Sequence, residues 1–119
     1  MKQKILVADD EENILNLVKL SLSHQYDVVL AKNGKEAVKV FEKEKPVLVL
    51  VDLMMPGMDG YEVCKAIKKK SKSTLVVVLS AKGHREDILK GMGCGADDYI
   101  TKPFDPAELV VRVEMNLLR

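Results

Sequence analysis

Two segments of the chain, Val47–Val51 and Leu75–Leu79, are apolar at every successive position. A strand with one wet face alternates apolar and polar side chains, so an unbroken run this short suits a parallel strand with helices covering both faces. Three more short apolar runs, Ile5–Ala8, Val28–Ala31 and Tyr99–Ile100, are likewise bounded by polar residues or by Gly and Pro. That makes five strand candidates. Between them stand apolar residues at helical spacing: Ile14, Leu15, Val18 and Leu22, then Ala37, Val38 and Phe41, then Val63, Ala66 and Ile67. Turn and helix-start signals fall at Asn33-Gly34, Pro56-Gly57, Asp59-Gly60 and Pro106, and a last helix runs from Pro106 to about Leu118. Strict alternation of β and α predicts an α/β, doubly wound parallel sheet of five strands with five helices.

A length of 119 residues with 47% hydrophobic content suits one domain, 1–119, around a single core. Nineteen Lys plus Arg nearly cancel eighteen Asp plus Glu, so no overall field draws the chain to nucleic acid or to a membrane surface. Cys64 and Cys94 lack metal-ligand spacing, and no apolar run approaches the roughly 20 residues needed to cross a bilayer. The polar start, Met1–Lys4, leads into a strand rather than a signal-type segment. Together these features predict a cytoplasmic domain that does not itself bind nucleic acid or membrane.

In an open parallel sheet the ligand crevice lies beyond the carboxyl ends of the strands. The residues expected there are Asp9 and Asp10 after the first strand, Asp52 after the third, Ser80 after the fourth and Lys102-Pro103 after the fifth. Taken singly, Asp10 and Ser80 could equally be N-caps of the next helix, and Lys102 a surface lysine. Asp52 is badly placed to cap anything, because the loop Leu53–Asp59 separates it from the helix that begins near Gly60. The joint placement at four strand ends favours a site. Crowded carboxylates stay ionised together only beside a cation, and an all-oxygen set next to a phosphoacceptor suits Mg²⁺. In this reading Asp52 attacks phosphorus, Asp9 and Asp10 hold the ion, Lys102 pairs with a phosphoryl oxygen and Ser80 donates a hydrogen bond.

The stretches ILVADDEE, LVLVDLMMPGMDGYE, VVVLSAKG and GADDYITKPFDPAELVVRV span essentially the whole chain. In that order and spacing they resemble the receiver domains of two-component response regulators, most closely the subclass joined to winged-helix DNA-binding domains. The resemblance implies a flavodoxin-like sheet of order 2-1-3-4-5 and an aspartyl phosphate on Asp52, taken from a sensor histidine kinase with Mg²⁺. It also implies that Asp9, Asp10, Asp52 and the backbone carbonyl of Met54 hold the metal, with Ser80 and Tyr99 as the switch pair and Lys102 as the phosphate-pairing lysine. Such a domain is no general enzyme, since it catalyses only its own phosphorylation and dephosphorylation. Ser80 stands where many relatives carry Thr, which keeps the hydroxyl. The family's cis peptide falls at Lys102-Pro103. Output is expected through the fourth helix, fifth strand and fifth helix, by a phosphorylation-dependent homodimer acting on an output domain outside this chain. Arg112 of one subunit would then meet Asp97 or Asp98 of the other, and Lys90 would meet Glu108 or Glu114; intrachain pairing is the alternative.

Other features read more plainly. Gly91–Ala96 superficially resembles a dinucleotide-binding loop but follows a helix and precedes a strand, the reverse of the required context. Its glycines are expected to end the fourth helix, with Cys94 as a small apolar filler. His24 and His84 read as solvated side chains, and Met54, Met55 and Met58 as packing or partner contacts. A magnesium-dependent phosphatase with an aspartyl nucleophile would carry a second Asp two residues on, where this chain has Met54. A receiver reduced to a pure binding module would lack one of the acidic, acceptor or lysine residues, and all are present.

Overall fold

The computed structural model describes residues 2–81 and 93–118. Along the chain run β1 (Lys4–Ala8), α1 (Glu12–Leu22), β2 (Asp27–Ala31), α2 (Gly34–Glu44) and β3 (Leu48–Asp52). There follow α3 (Gly60–Lys70), β4 (Leu75–Ser80), β5 (Asp98–Thr101) and α4 (Pro106–Leu117). The strands form one sheet in the order β2-β1-β3-β4-β5. Every pairing is parallel, with Leu50 opposite Val7 and Val77, Asp52 opposite Leu79 and Ser80 opposite Thr101. The expected order 2-1-3-4-5 is therefore observed.

The unbroken apolar runs have the expected cause. Along β3, Leu48 and Leu50 face α1 and α4, packing with Leu15, Val18, Leu109 and Val113. Val49 and Val51 face α2 and α3, packing with Ala37, Phe41, Val63 and Ile67. Because neighbouring side chains point to opposite faces and both faces are covered, each position is apolar. Full burial of such side chains contributes about 1.5–3 kcal/mol each, which makes β1, β3 and β4 the rigid floor from which the loops rise. The edge strands β2 and β5 are only partly buried.

Five helices were expected and four lie among the described residues. The fifth expected element, the fourth helix in sequence order, falls largely on residues 82–92, outside the described residues, together with Lys90, His84, Gly91 and Met92. The last helix ends at Leu117, one residue short of expectation. Asn33, Asp59 and Asp105 each cap the following helix, accepting from the amides of Glu36, Glu62 and Ala107. Asp10 does not: the N-cap of α1 is Glu11, without a side-chain cap bond. The cap alternative for Asp10 is thus removed. The Lys102-Pro103 bond is cis, as the resemblance implies.

Gly60 lets α3 begin against the backbone of β3's exit, since a methyl group there would press on the Asp52 carbonyl oxygen and lie 2.7 Å from Leu53 Cα. Gly93 faces open space. Gly60→Ala is therefore expected to lower stability in urea unfolding by about 1–3 kcal/mol, the usual cost of overpacking, whereas Gly93→Ala changes it little. Equal midpoints for the two variants would contradict this packing.

Candidate functional site

The carboxyl ends of β1, β3, β4 and β5 bring the expected residues to one rim. Asp9 follows β1 and is fully buried, Asp52 ends β3, Ser80 ends β4, and Lys102 follows β5, all of them buried. Asp10 and Glu11 stand at the exposed lip. One carboxylate oxygen from each of Asp9, Asp10, Glu11 and Asp52 lies within 4.8 Å of the others. Into this cluster projects Lys102, with Nζ 2.7 Å from Asp9 Oδ2, 3.3 Å from Asp52 Oδ2 and 3.8 Å from Glu11 Oε1. Lys102 is no surface lysine.

Backbone amides orient the two buried carboxylates. Glu11 N donates to Asp9 Oδ1 at 2.9 Å, and Met54 N donates to Asp52 Oδ1 at 3.3 Å. Lys102 N donates to the Ser80 carbonyl, which joins the exits of β4 and β5. The Met54 side chain is 75% exposed beside the site, whereas Met55 is buried and Met58 packs on the α2 and α3 side. Tyr99 is partly buried against that same face, opposite Val78 in the sheet.

Four carboxylates facing one ammonium leave a formal charge of −3 when all are ionised. Burial, followed by the charge of Asp9, pushes the Asp52 carboxyl up to about 6, against the opposing pull of Lys102 and the Met54 amide. Burial alone would lower the Lys102 pKa, but its bond to Asp9 and the charges of Asp52 and Asp9 outweigh it, so the ammonium holds its proton more tightly than a free lysine. A cluster of oxygen donors, half buried and half open to solvent, has the chemistry of a hard-cation site. Asp9, Asp10, Glu11 and Asp52 are the residues able to hold one.

Glu11 was not singled out from the sequence. It adjoins the acidic pair in ADDEE, but only the turn after β1 shows that its carboxylate reaches the cluster. Two networks lie beyond the rim, one of them the intrachain pairing of Arg112 given as the alternative, the other, through Lys68, not read from the sequence. Arg112 Nε donates to Asp98 Oδ2 at 2.9 Å, and Asn116 Nδ2 donates to the same oxygen at 2.9 Å, so α4 is tied to β5. Lys68 Nζ lies 2.7 Å from Asp97 Oδ2. Arg112, Asp97 and Asp98, expected to pair across a subunit boundary, are thus engaged within the chain, because β5 lies beside α4 and its entry beside α3. Among the decoys, His24 is exposed and Gly95 has φ +94, in keeping with its reading as a turn glycine. A cavity of about 520 Å³, lined by Phe41, Lys45, Val47 and Thr74 among others, lies at the opposite ends of the strands. It takes no part in the rim.

Acidic residues, a hydroxyl and a lysine thus stand together at the carboxyl rim of a parallel α/β sheet of this order. Residues 5–114 match the family described as "Response regulator receiver domain", and the chain belongs to that family. It is 45% identical over its full length to the alkaline phosphatase synthesis transcriptional regulatory protein PhoP of Bacillus subtilis (strain 168), and it spans half the length of that relative. It superposes with a TM-score of 0.92 and 39% identity on the response regulator DrrB of Thermotoga maritima, an OmpR/PhoB homologue, covering all of this chain and 54% of that one. With the BeF3-activated DrrB receiver domain the TM-score is 0.93 at 39% identity, with both chains fully covered. These relatives agree with the resemblance to receivers joined to winged-helix DNA-binding domains.

The raised Asp52 pKa has a definite sign in stability. A carboxyl held above its unfolded value binds its proton more tightly when folded, so its ionisation disfavours the fold above about pH 4, and the penalty fades as pH falls through about 6. With divalent metal chelated, Asp52→Asn is expected to stabilise the protein near neutral pH by on the order of 1–3 kcal/mol. Urea unfolding across this range should show the gain shrinking toward acid. A gain independent of pH, or a loss at neutral pH, would contradict the electrostatic reading.

Proposed function

We propose that the chain is a single receiver domain, 1–119, in which Asp52 accepts a phosphoryl group from the phosphohistidine of a sensor histidine kinase. The observation that carries this reading is Lys102 Nζ lying between Asp9 and Asp52 at the rim of the sheet. An Asp52 carboxylate oxygen bonds to phosphorus as the phosphorus–nitrogen bond breaks, its electron pair returning to the imidazole. Lys102 then pairs with a phosphoryl oxygen, leaving part of its hold on Asp52, and Ser80 donates a hydrogen bond to another. Asp9, Asp10, Asp52 and the Met54 carbonyl would hold Mg²⁺, with the Glu11 carboxylate in the same cluster. When bound, Mg²⁺ neutralises the carboxylates and the charge on the transferring group.

The new charge draws Ser80 inward, and Tyr99 moves into the space released. The change passes to the fourth helix in sequence order, to β5 and to α4. On that face two copies pair, once Arg112 exchanges part of its intrachain bonding for a partner's acidic residue. The chain's span of half its PhoP relative fits an output domain outside it, and no described helix is long and apolar enough to cross a membrane. The reading is of a cytoplasmic regulatory domain that leaves nucleic acid contact to that output domain and performs only its own phosphorylation and dephosphorylation.

With Mg²⁺ and acetyl phosphate, intact-mass analysis should show one added phosphoryl group, absent from Asp52→Ala and strongly slowed in Asp9→Ala/Asp10→Ala. Sedimentation of the same modified sample should shift toward a dimer, in a salt-sensitive way. An unchanged wild-type mass, or phosphate on Ser80, contradicts the chemistry. A modified protein that stays monomeric contradicts the proposed pairing.

A further inference from the structure

Cys64 and Cys94 are the chain's two cysteines, and both are buried. Cys64 comes from the inward face of α3, while Cys94 comes from the turn that leads into β5. The fold brings them together on the α2 and α3 side of the sheet, where Cys64 Sγ donates to the Cys94 carbonyl oxygen at 3.3 Å. The two thiols lie close enough to influence each other's ionisation.

Their proximity makes the pair unequal. The neighbouring Cys64 thiol lowers the pKa of Cys94, while Cys94 and burial raise that of Cys64, so the first proton leaves from Cys94. Cys94 is also the more accessible of the two, 7% exposed against 0%. A thiolate at the solvent side with a second thiol behind it is the arrangement of an oxidisable and a resolving cysteine. The segments that carry them are already fixed against each other, since Lys68 of α3 and the Val76 amide both hold Asp97 Oδ2, at 2.7 and 2.9 Å.

We propose that Cys64 and Cys94 form a site of reversible oxidation, an intramolecular disulfide made by a hydroperoxide-class oxidant. The Cys94 thiolate attacks one peroxide oxygen, the oxygen–oxygen bond breaks, and hydroxide leaves to become water, which gives a sulfenic acid. Cys64 sulfur then attacks Cys94 sulfur, the sulfur–oxygen bond breaks, and a second water leaves with the Cys64 proton. Two thiols and one peroxide thus become one disulfide and two waters. The bond would tether α3 to the entry of β5, the strand that carries Tyr99 and leads to Lys102. This proposal does not depend on phosphorylation of Asp52.

The whole chain is treated with hydrogen peroxide, unfolded under alkylating conditions and mapped by mass spectrometry. The expected product is a monomer carrying a Cys64–Cys94 linked peptide, two hydrogen atoms lighter and restored by dithiothreitol. Cys64→Ala should instead accumulate a sulfenic acid on Cys94 that dimedone traps, and Cys94→Ala should leave Cys64 unmodified. The variants' fold is checked by circular dichroism, and the wild-type map stands alone if either fails to fold. Two fully alkylatable thiols after peroxide, links only between chains, or oxidation of Cys64 in preference to Cys94 would overturn the proposal.

Discussion

The Lys102 ammonium, 2.7 Å from Asp9 Oδ2 and 3.3 Å from Asp52 Oδ2, is the interaction on which the rim depends. Two buried carboxylates at adjacent strand ends repel each other, and each would also lose its hydration. A charge pair at such separations is worth on the order of a few kcal/mol, comparable to the effective penalty of burying an ion. The site therefore sits near electrostatic balance. Lys102 is enough to hold Asp9 and Asp52 in place, yet Asp52 is still pushed up to about 6. A site left short of positive charge is one that a cation can complete.

That shortfall connects the site to the rest of the fold through covalent neighbours. Lys102 follows β5 directly, and its amide bonds the carbonyl of Ser80 at the end of β4. At the other end of β5, Asp98 is held by Arg112 and Asn116 of α4, while Asp97 is held by Lys68 of α3. A short edge strand anchored at one end to charges and at the other to two helices can relay a change at the rim. Its four residues include two that are only partly buried and one that is exposed, so less packing holds it in place than holds β1, β3 or β4.

Much of this was legible in the sequence because it rests on local signals. Leu48–Val51 had to be covered on both faces, and Asp9, Asp52, Ser80 and Lys102 had to stand at strand ends once the strands were placed. The helix starts signalled at Asn33-Gly34, Asp59-Gly60 and Pro106 follow from residue type and position. The partners of long polar side chains were not legible, because they depend on which elements become neighbours. Arg112 lies beside Asp98 only because α4 packs next to β5, and Glu11 joins the cluster only because the chain turns after Asp10. Cys64 and Cys94, thirty positions apart in sequence, gave no local sign of their contact.

The central claim is that Lys102 balances the buried carboxylates, and the titration of Asp52 tests it most directly. With metal chelated, the carboxyl carbon of Asp52 can be followed by nuclear magnetic resonance in the wild type and in Lys102→Met, which keeps the chain's bulk without its charge. The wild-type group should titrate near 6 and the variant's distinctly higher, because only the Met54 amide would then oppose burial and Asp9. An Asp52 that titrates at the same pH in both proteins, or lower in the variant, would contradict the balance described.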